Sequence, residues 1–163
     1  MANEGEYPKV DGDVLYASEV NSFIRNKAKG LTPTTDLAPA IPITDLTNIT
    51  DEDNTTGTNV FSITGQTAKE VKIDLGALYF VHKIGVKYDY ALQNASDACA
   101  VETSPDDSDW TEVTGLDKRA GTGTVNLWGD VGFDANKVRY VRFIITGSGG
   151  GPNTLKIYEL VTI

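Results

Sequence analysis

Hydrophobic and polar residues alternate strictly through the middle of the chain. Val71, Ile73 and Leu75 alternate with Lys72 and Asp74, and Ile84, Val86 and Tyr88 alternate with Lys83, Gly85 and Lys87. A period of two places one face of a strand in a core and the other in water. The stretch from Val71 to Tyr88 therefore predicts two strands joined by a tight connection, with Gly76 breaking the first. Val60, Phe61 and Ile63 lead into this pair. Beyond it, Ala98–Thr103 reads as a strand, Ser104–Asp109 as a turn and Trp110–Val113 as the return strand. Pro105 presets φ in that turn, and Asp106 and Asp107 can bond nearby backbone. Val125–Trp128 reads as a short strand, Val138–Thr146 as a strong one, and Leu155–Ile163 as a closing one. Ala91–Ala98, Gly115–Thr124 and the Gly-rich Gly147–Asn153 are expected loops. Short strands with turn signals at near-regular spacing predict an all-β sandwich.

The first 40 residues follow a different period. Met1–Asp13 is polar and expected to be extended. Ala17–Lys29 is expected to be a helix, with Ser18 as cap, Glu19 in its first turn and Gly30 as terminator. Val20, Phe23, Ile24 and Lys27 fall at i, i+3, i+4 and i+7, a narrow stripe. Pro33, Pro39 and Pro42 mark an extended linker from Leu31 to Pro42. The expected division is an arm over 1–40 and a sandwich over 41–163. The stripe is too small to hold a lone helix in water. Together with Tyr7, Leu15 and Tyr16 it forms an expected assembly surface, docking on another copy of the chain or on a different protein.

Charge and composition narrow the partners. The net charge is −9 over 163 residues. That balance excludes a nucleic-acid backbone as the expected partner and disfavours anionic membranes. No apolar run reaches the length of a membrane span. The first ten residues lack the charged and apolar segments of a secretory signal. Cys99 is the single cysteine, so no disulfide forms within the chain, and its strand neighbours read it as a small buried residue.

Catalytic chemistry is not expected. His82 is the lone histidine and reads as a solvent-facing strand residue, and no nucleophile elbow, HExxH or P-loop occurs. The loop Asp45–Thr58 is dense in hard oxygens: Asp51, Asp53, Thr55 and Thr56 fall within a few residues. Such a set suits Ca²⁺, yet it also suits a solvated acidic loop, and its spacing is not that of an EF-hand. Sugar recognition needs an aromatic face and a few directed polar groups. Tyr88, Tyr90, Asn94, Arg119 and Trp128 are the candidates at loop edges, with core or rim packing as the alternative for the aromatics.

Four stretches in order carry a family resemblance. KIDLGALYFVHKIGV resembles the hydrophobic-Asp-Leu-Gly signature of discoidin, or coagulation-factor C-type, domains. AVETSPDDSDWTEV (Ala100–Val113) resembles their strand, turn and Trp; KVRYVRFIITG (Lys137–Gly147) and LKIYELV (Leu155–Val161) resemble their last strands. The resemblance implies a galactose-binding-like jelly-roll β-sandwich. It implies a structural Ca²⁺ at Asp51, Asp53 and Thr56, completed by Glu159. Glu52 departs from the pattern, which has Gly there, so a differently shaped loop is expected. The resemblance further implies a ligand site in variable loops at one end of the sandwich. DGDVLYASEVNSFIRN (Asp11–Asn26) resembles a segment near the start of phage tail-fibre and other virion proteins, and equally an ordinary capped helix. The expected function is a non-catalytic virion structural protein whose outward-facing sandwich adheres to cell-surface glycans. Its expected partners are capsid or tail proteins, or itself as a homo-oligomer, with a trimer implied by the virion likeness. The alternative is a carbohydrate-binding module of a microbial surface protein, working outside the cell.

Overall fold

The structure is a computed structural model that describes residues 26–36, 43–53, 55–63, 68–132, 137–147 and 152–163. Among these residues two antiparallel sheets face each other. The first holds β1 (Thr34–Thr35), β3 (Lys69–Phe80), β9 (Lys137–Thr146), β5 (Ala98–Ser104) and β6 (Thr111–Glu112) in that order, with β7 (Lys118–Arg119) also on β5. The second runs β2 (Phe61–Ile63), β10 (Asn153–Thr162), β4 (Lys83–Leu92), β8 (Gly121–Asp130). This is the sandwich that the alternating positions predict.

The pair at the centre of the sequence is arranged differently from expectation. β3 and β4 do not pair; they lie in different sheets, and Val81 and His82 carry the chain across between them. Alternation specifies which side chains go inward, and both sheets bury theirs in the same core. Gly76 does not end β3 but sits within it at φ +81°, where the register with β9 shifts between Asp74 and Tyr79. A left-handed residue suits such a bulge. His82 lies in the crossing, exposed, and its N–H donates to the Ile163 carbonyl.

The core is built from the inward phases: Val71 and Ile73 of β3, Ile84, Val86 and Tyr88 of β4, Val141, Phe143 and Ile145 of β9, Leu155, Ile157 and Leu160 of β10. Tyr88 reaches across the gap. Its ring meets Phe143 edge-on at 5.8 Å, and its hydroxyl donates to the Leu116 carbonyl. Burial raises the Tyr88 phenol well above its usual range and pushes the Cys99 thiol up to about 12. Cys99 is therefore a packing residue, not a thiolate.

On the outer face of the first sheet, charges pair. Arg142 bonds Glu70 and Glu102 at 2.8 and 2.6 Å and stacks 3.9 Å from the Trp110 ring centre. Arg139 binds Asp74, and Lys72 binds Asp107. These pairs order the surface more than they stabilise it.

Residues 26–36, expected to be a helix end and linker, lie against the sandwich. Lys27–Gly30 is a turn, not a helical end. Asn26 Oδ1 accepts from the Thr162 and Ala28 N–H groups, both at 3.0 Å, and Ala28 is fully buried. Thr34 and Thr35 pair with Lys72 and Val71. Pro33 precedes this short edge strand, where a missing N–H disrupts no ladder. The arm residues Tyr7, Leu15, Tyr16, Val20, Phe23 and Ile24, and the helix up to Arg25, lie outside the described residues.

Tyr88→Phe keeps the ring and strands the buried Leu116 carbonyl. We expect a loss of about 1–3 kcal/mol, seen as a lower urea midpoint at unchanged slope. An unmoved midpoint would mean the hydroxyl bond contributes nothing to the fold.

Candidate functional site

Two features meet on the outer face of the second sheet: an acidic loop and an aromatic platform. The loop follows a short 3₁₀ turn, Leu46–Ile49, anchored by the buried Ile49. Asp51 folds it inward: Oδ1 accepts from the Asp53 N–H at 2.8 Å and Oδ2 from the Thr56 hydroxyl at 2.9 Å. Asp53 Oδ1 accepts from the Thr55 hydroxyl and N–H at 2.6 and 2.9 Å, and the hydroxyl bond leads in holding its carboxyl below the usual range. Glu52 stands at φ +66°. The backbone there is left-handed, a conformation that Gly adopts freely, and here a glutamate bears the strain. Its carboxylate is held by Lys29 from the N-terminal turn.

Glu159 lies beneath this loop. It sits at the β10 irregularity between Ile157 and Glu159, only 6% exposed. Oε1 accepts from the Leu160 N–H at 3.2 Å, while Oε2 is buried without a partner. Burial foremost, and then the charge of Asp51, pushes its carboxyl up to about 7. An orphaned buried carboxylate oxygen beside acidic groups suits a hard divalent cation. Among the described residues no three His, Cys, Asp or Glu side chains converge as a metal cluster. Asp51, Asp53 and Glu159 would therefore need the Thr56 oxygen and backbone carbonyls to complete a shell. Among the described residues the loop is not a formed metal site, since oxygens of Asp51 and Asp53 are taken by the loop's own N–H and hydroxyl groups.

The platform is Trp128. A β-carbon added at Gly85 would lie 3.0 Å from Cε2, Cε3 and Cη2 of the indole. These are alternate carbons of the six-membered ring, so Gly85 lies on the ring axis and the indole rests flat on the glycine. Any side chain at 85 would displace it. Trp128 remains 54% exposed, with one face against the sheet. The β4–β8 register explains the arrangement: Gly85 opposes Trp128 and Lys87 opposes Asn126, while β10 sets Val161 and Glu159 opposite Gly85 and Lys87. These six residues, with Val86 and Leu127, line a depression of about 170 Å³. Lys83 and Asp130 pair at 3.4 Å along the same strands. Lys87 lies 4.9 Å from the Tyr158 ring centre, and the Tyr158 hydroxyl donates to Asp89 at 2.7 Å.

The other expected ligand residues are dispersed. Tyr88 is in the core and cannot face a ligand, because it shares the inward phase of Ile84 and Val86. The Tyr90 ring is partly buried against Gly123. Asn94 caps its own turn, donating from its N–H and side chain to Asp97 at 2.9 and 3.1 Å. Arg119 is exposed on β7, opposite Ala98. Of the set, Trp128 alone lines the depression. Gly85, Lys87 and Asn126 were missed, since only the strand register brings them to the indole.

Two outcomes follow. The raised Glu159 carboxyl binds its proton more tightly in the folded state. Its stabilisation is full below the unfolded value of 4.5 and is lost as pH rises through about 7. The cation-free protein should lose stability across that window, and Glu159→Gln should not. Asp53, Asp74 and Asp106 act with the opposite sign and below 3.8, outside it. Urea midpoints in chelator at about pH 5 and about pH 8 read the difference; equal midpoints in the wild type would contradict the placement of Glu159. Separately, Glu52→Gly should relieve left-handed strain and raise stability by about 1 kcal/mol, whereas Glu52→Ala should not.

The fold has known counterparts. No curated protein matches the chain. Among solved structures, chitosan-binding module 1 of a chitosanase/glucanase from Paenibacillus sp. IK-5 is 20% identical, with TM-score 0.52 over 85% of this chain and 98% of that one. Module 2 of the same enzyme, in complex with chitotriose, is 14% identical, with TM-score 0.54 over 84% and 98%. CpGH89CBM32-4 of Clostridium perfringens, in complex with GlcNAc-alpha-1,4-galactose, is 17% identical, with TM-score 0.51 over 85% and 92%. These likenesses are of fold. The F5/8 type C domain family matches residues 43–160. With that match spanning most of its length, the chain belongs to the F5/8 type C, or discoidin, domain family.

Proposed function

We propose that this domain binds carbohydrate without transforming it, and that Trp128 is the surface on which a sugar ring stacks. The observation that carries the reading is the indole laid flat on Gly85, with Asn126 and Lys87 beside it. Sugar rings offer an apolar C–H face to an aromatic ring and hydroxyls to flanking polar groups. The depression, at about 170 Å³, is smaller than the roughly 300–1,000 Å³ that encloses a drug-sized ligand. It suits one ring of a glycan, with the remainder in solvent.

Charge selects among glycans. A net charge of −9 repels sulfated or uronate-rich polymers at long range. Neutral or amino sugars are the favoured class. The similar folds from Paenibacillus and Clostridium that carry chitotriose and GlcNAc-alpha-1,4-galactose support this choice. A non-catalytic role agrees with an exposed His82 on a crossing segment and a buried Cys99 thiol. Such a module would meet its ligand outside the cell or on a surface. The virion role rests on Asp11–Asn26, of which the structure describes Asn26 alone, and the site geometry adds nothing to it.

The test is titration calorimetry against a panel of neutral and amino oligosaccharides that includes chitotriose. Trp128→Ala should weaken binding at least about tenfold, or ~1.4 kcal/mol, with little change in melting temperature because the indole is half exposed. Gly85→Val should do the same while keeping the Trp, by lifting it off the sheet. Unchanged binding in both variants, or no binding by the wild type anywhere on the panel, would overturn the reading.

A further inference from the structure

The edge of a sheet is a row of unpaired backbone N–H and C=O groups, and folded chains usually guard it with short strands, charges, prolines or bulges. Among the described residues most edges here are short. β1 bounds the first sheet with two residues, β6 and β7 bound its other side with two each, and β2 bounds the second sheet with three. β8 is the exception. It runs ten residues, Gly121–Asp130, along the other side of the second sheet, and it pairs with β4 at every position without a bulge. It contains no proline and no charge before Asp130. Among the described residues the backbone partner on its far side is Thr114, bridged to Asp130 at the very end. Leu127 shares the inward phase of its ladder partner Val86, yet it is 49% exposed because the sheet stops beside it.

We propose that residues 121–128 form an interface on which a second copy of this chain pairs, antiparallel and about a twofold axis, joining two four-stranded sheets into one. Charge selects both the partner and the direction. Each copy carries a net −9, and an uncharged edge is where two such chains touch with least repulsion. Asp130, with its side chain 79% exposed, lies just past one end of the stretch, and the exposed Arg119 lies just past the other. A twofold between Thr124 and Val125 sets Asp130 of each copy beside Arg119 of the other. Parallel pairing would set like charges together. The added strand continues the inward face and covers Leu127. The Trp128 indole leans on Gly85, towards β4, so its open face stays clear of the partner. One strand edge is a small interface, in the class below about 1,200 Å² that forms transient complexes. The dimer should therefore grow with protein concentration.

Sedimentation velocity of the full chain at rising concentration tests this. Wild type should pass from monomer to dimer, and amide exchange across residues 121–128 should slow as it does. Thr122 is exposed and opposes Ala91, so Thr122→Lys places a charge on the edge outside the core. It should hold the chain monomeric, with the melting temperature in dilute solution unchanged. Asp130→Arg should weaken the dimer about fivefold or more, although it lowers the net negative charge. Adding Arg119→Asp to that variant restores the net charge and should recover the dimer. A wild type that stays monomeric at every concentration would leave the edge to a different protein and overturn the proposal. So would a dimer that survives Thr122→Lys, or a charge swap that recovers nothing.

Discussion

The arrangement depends on one register, that of β4 between β10 and β8. In it Ile84, Val86 and Tyr88 point into the core while Gly85 and Lys87 point outward, opposite Trp128 and Asn126 on one side and Val161 and Glu159 on the other. A slip of one residue would exchange the two faces completely. Tyr88 would lose Phe143 and Leu116, and the indole would lose its glycine. The interaction that locks the register is buried: the Tyr88 ring against Phe143, with its hydroxyl on the Leu116 carbonyl. Core packing thereby sets the geometry of the outer face.

The same strands tie the acidic loop to that face. Glu159 is carried outward at the β10 irregularity and kept nearly dry, so its carboxyl retains a proton to about pH 7 in the absence of a cation. Burying a carboxylate oxygen without a partner costs stability that a purely structural residue would not require. The strained Glu52 is a second cost in the same loop. The loop is also joined to the N-terminal turn, through the Glu52–Lys29 pair and the bond from the Gly30 N–H to the Thr50 carbonyl.

Alternation makes the inward phases of β3, β4 and β9 legible, and with them the sandwich, whereas the irregularity between Ile157 and Glu159 interrupts the phase of β10. The pattern could not assign strands to sheets, because β3 and β4 bury their faces in one core from opposite sides. β8 is longer than the expected Val125–Trp128 because Gly121, Gly123, Gly129 and Asp130 are poor strand signals, and it is the ladder with β4 that holds them extended. The buried role of Tyr88 was visible in its phase with Ile84 and Val86; treating it as a loop-edge aromatic overlooked that signal. Trp128 was legible as an aromatic near a loop, but its flat seat on Gly85 exists only through pairing. Glu159 was reached through family likeness, and nothing in its local sequence marks it as buried.

The central claim is that ligand stacks on the open face of the second sheet at Trp128. Backbone and indole N–H shifts, followed by NMR during a chitotriose titration in calcium, test it most directly. The account predicts movement of the Trp128 indole N–H together with the amides of Gly85, Lys87, Asn126 and Leu127. Shifts confined to Asn94–Asp97 and Arg119, with the Trp128 indole unmoved, would contradict it.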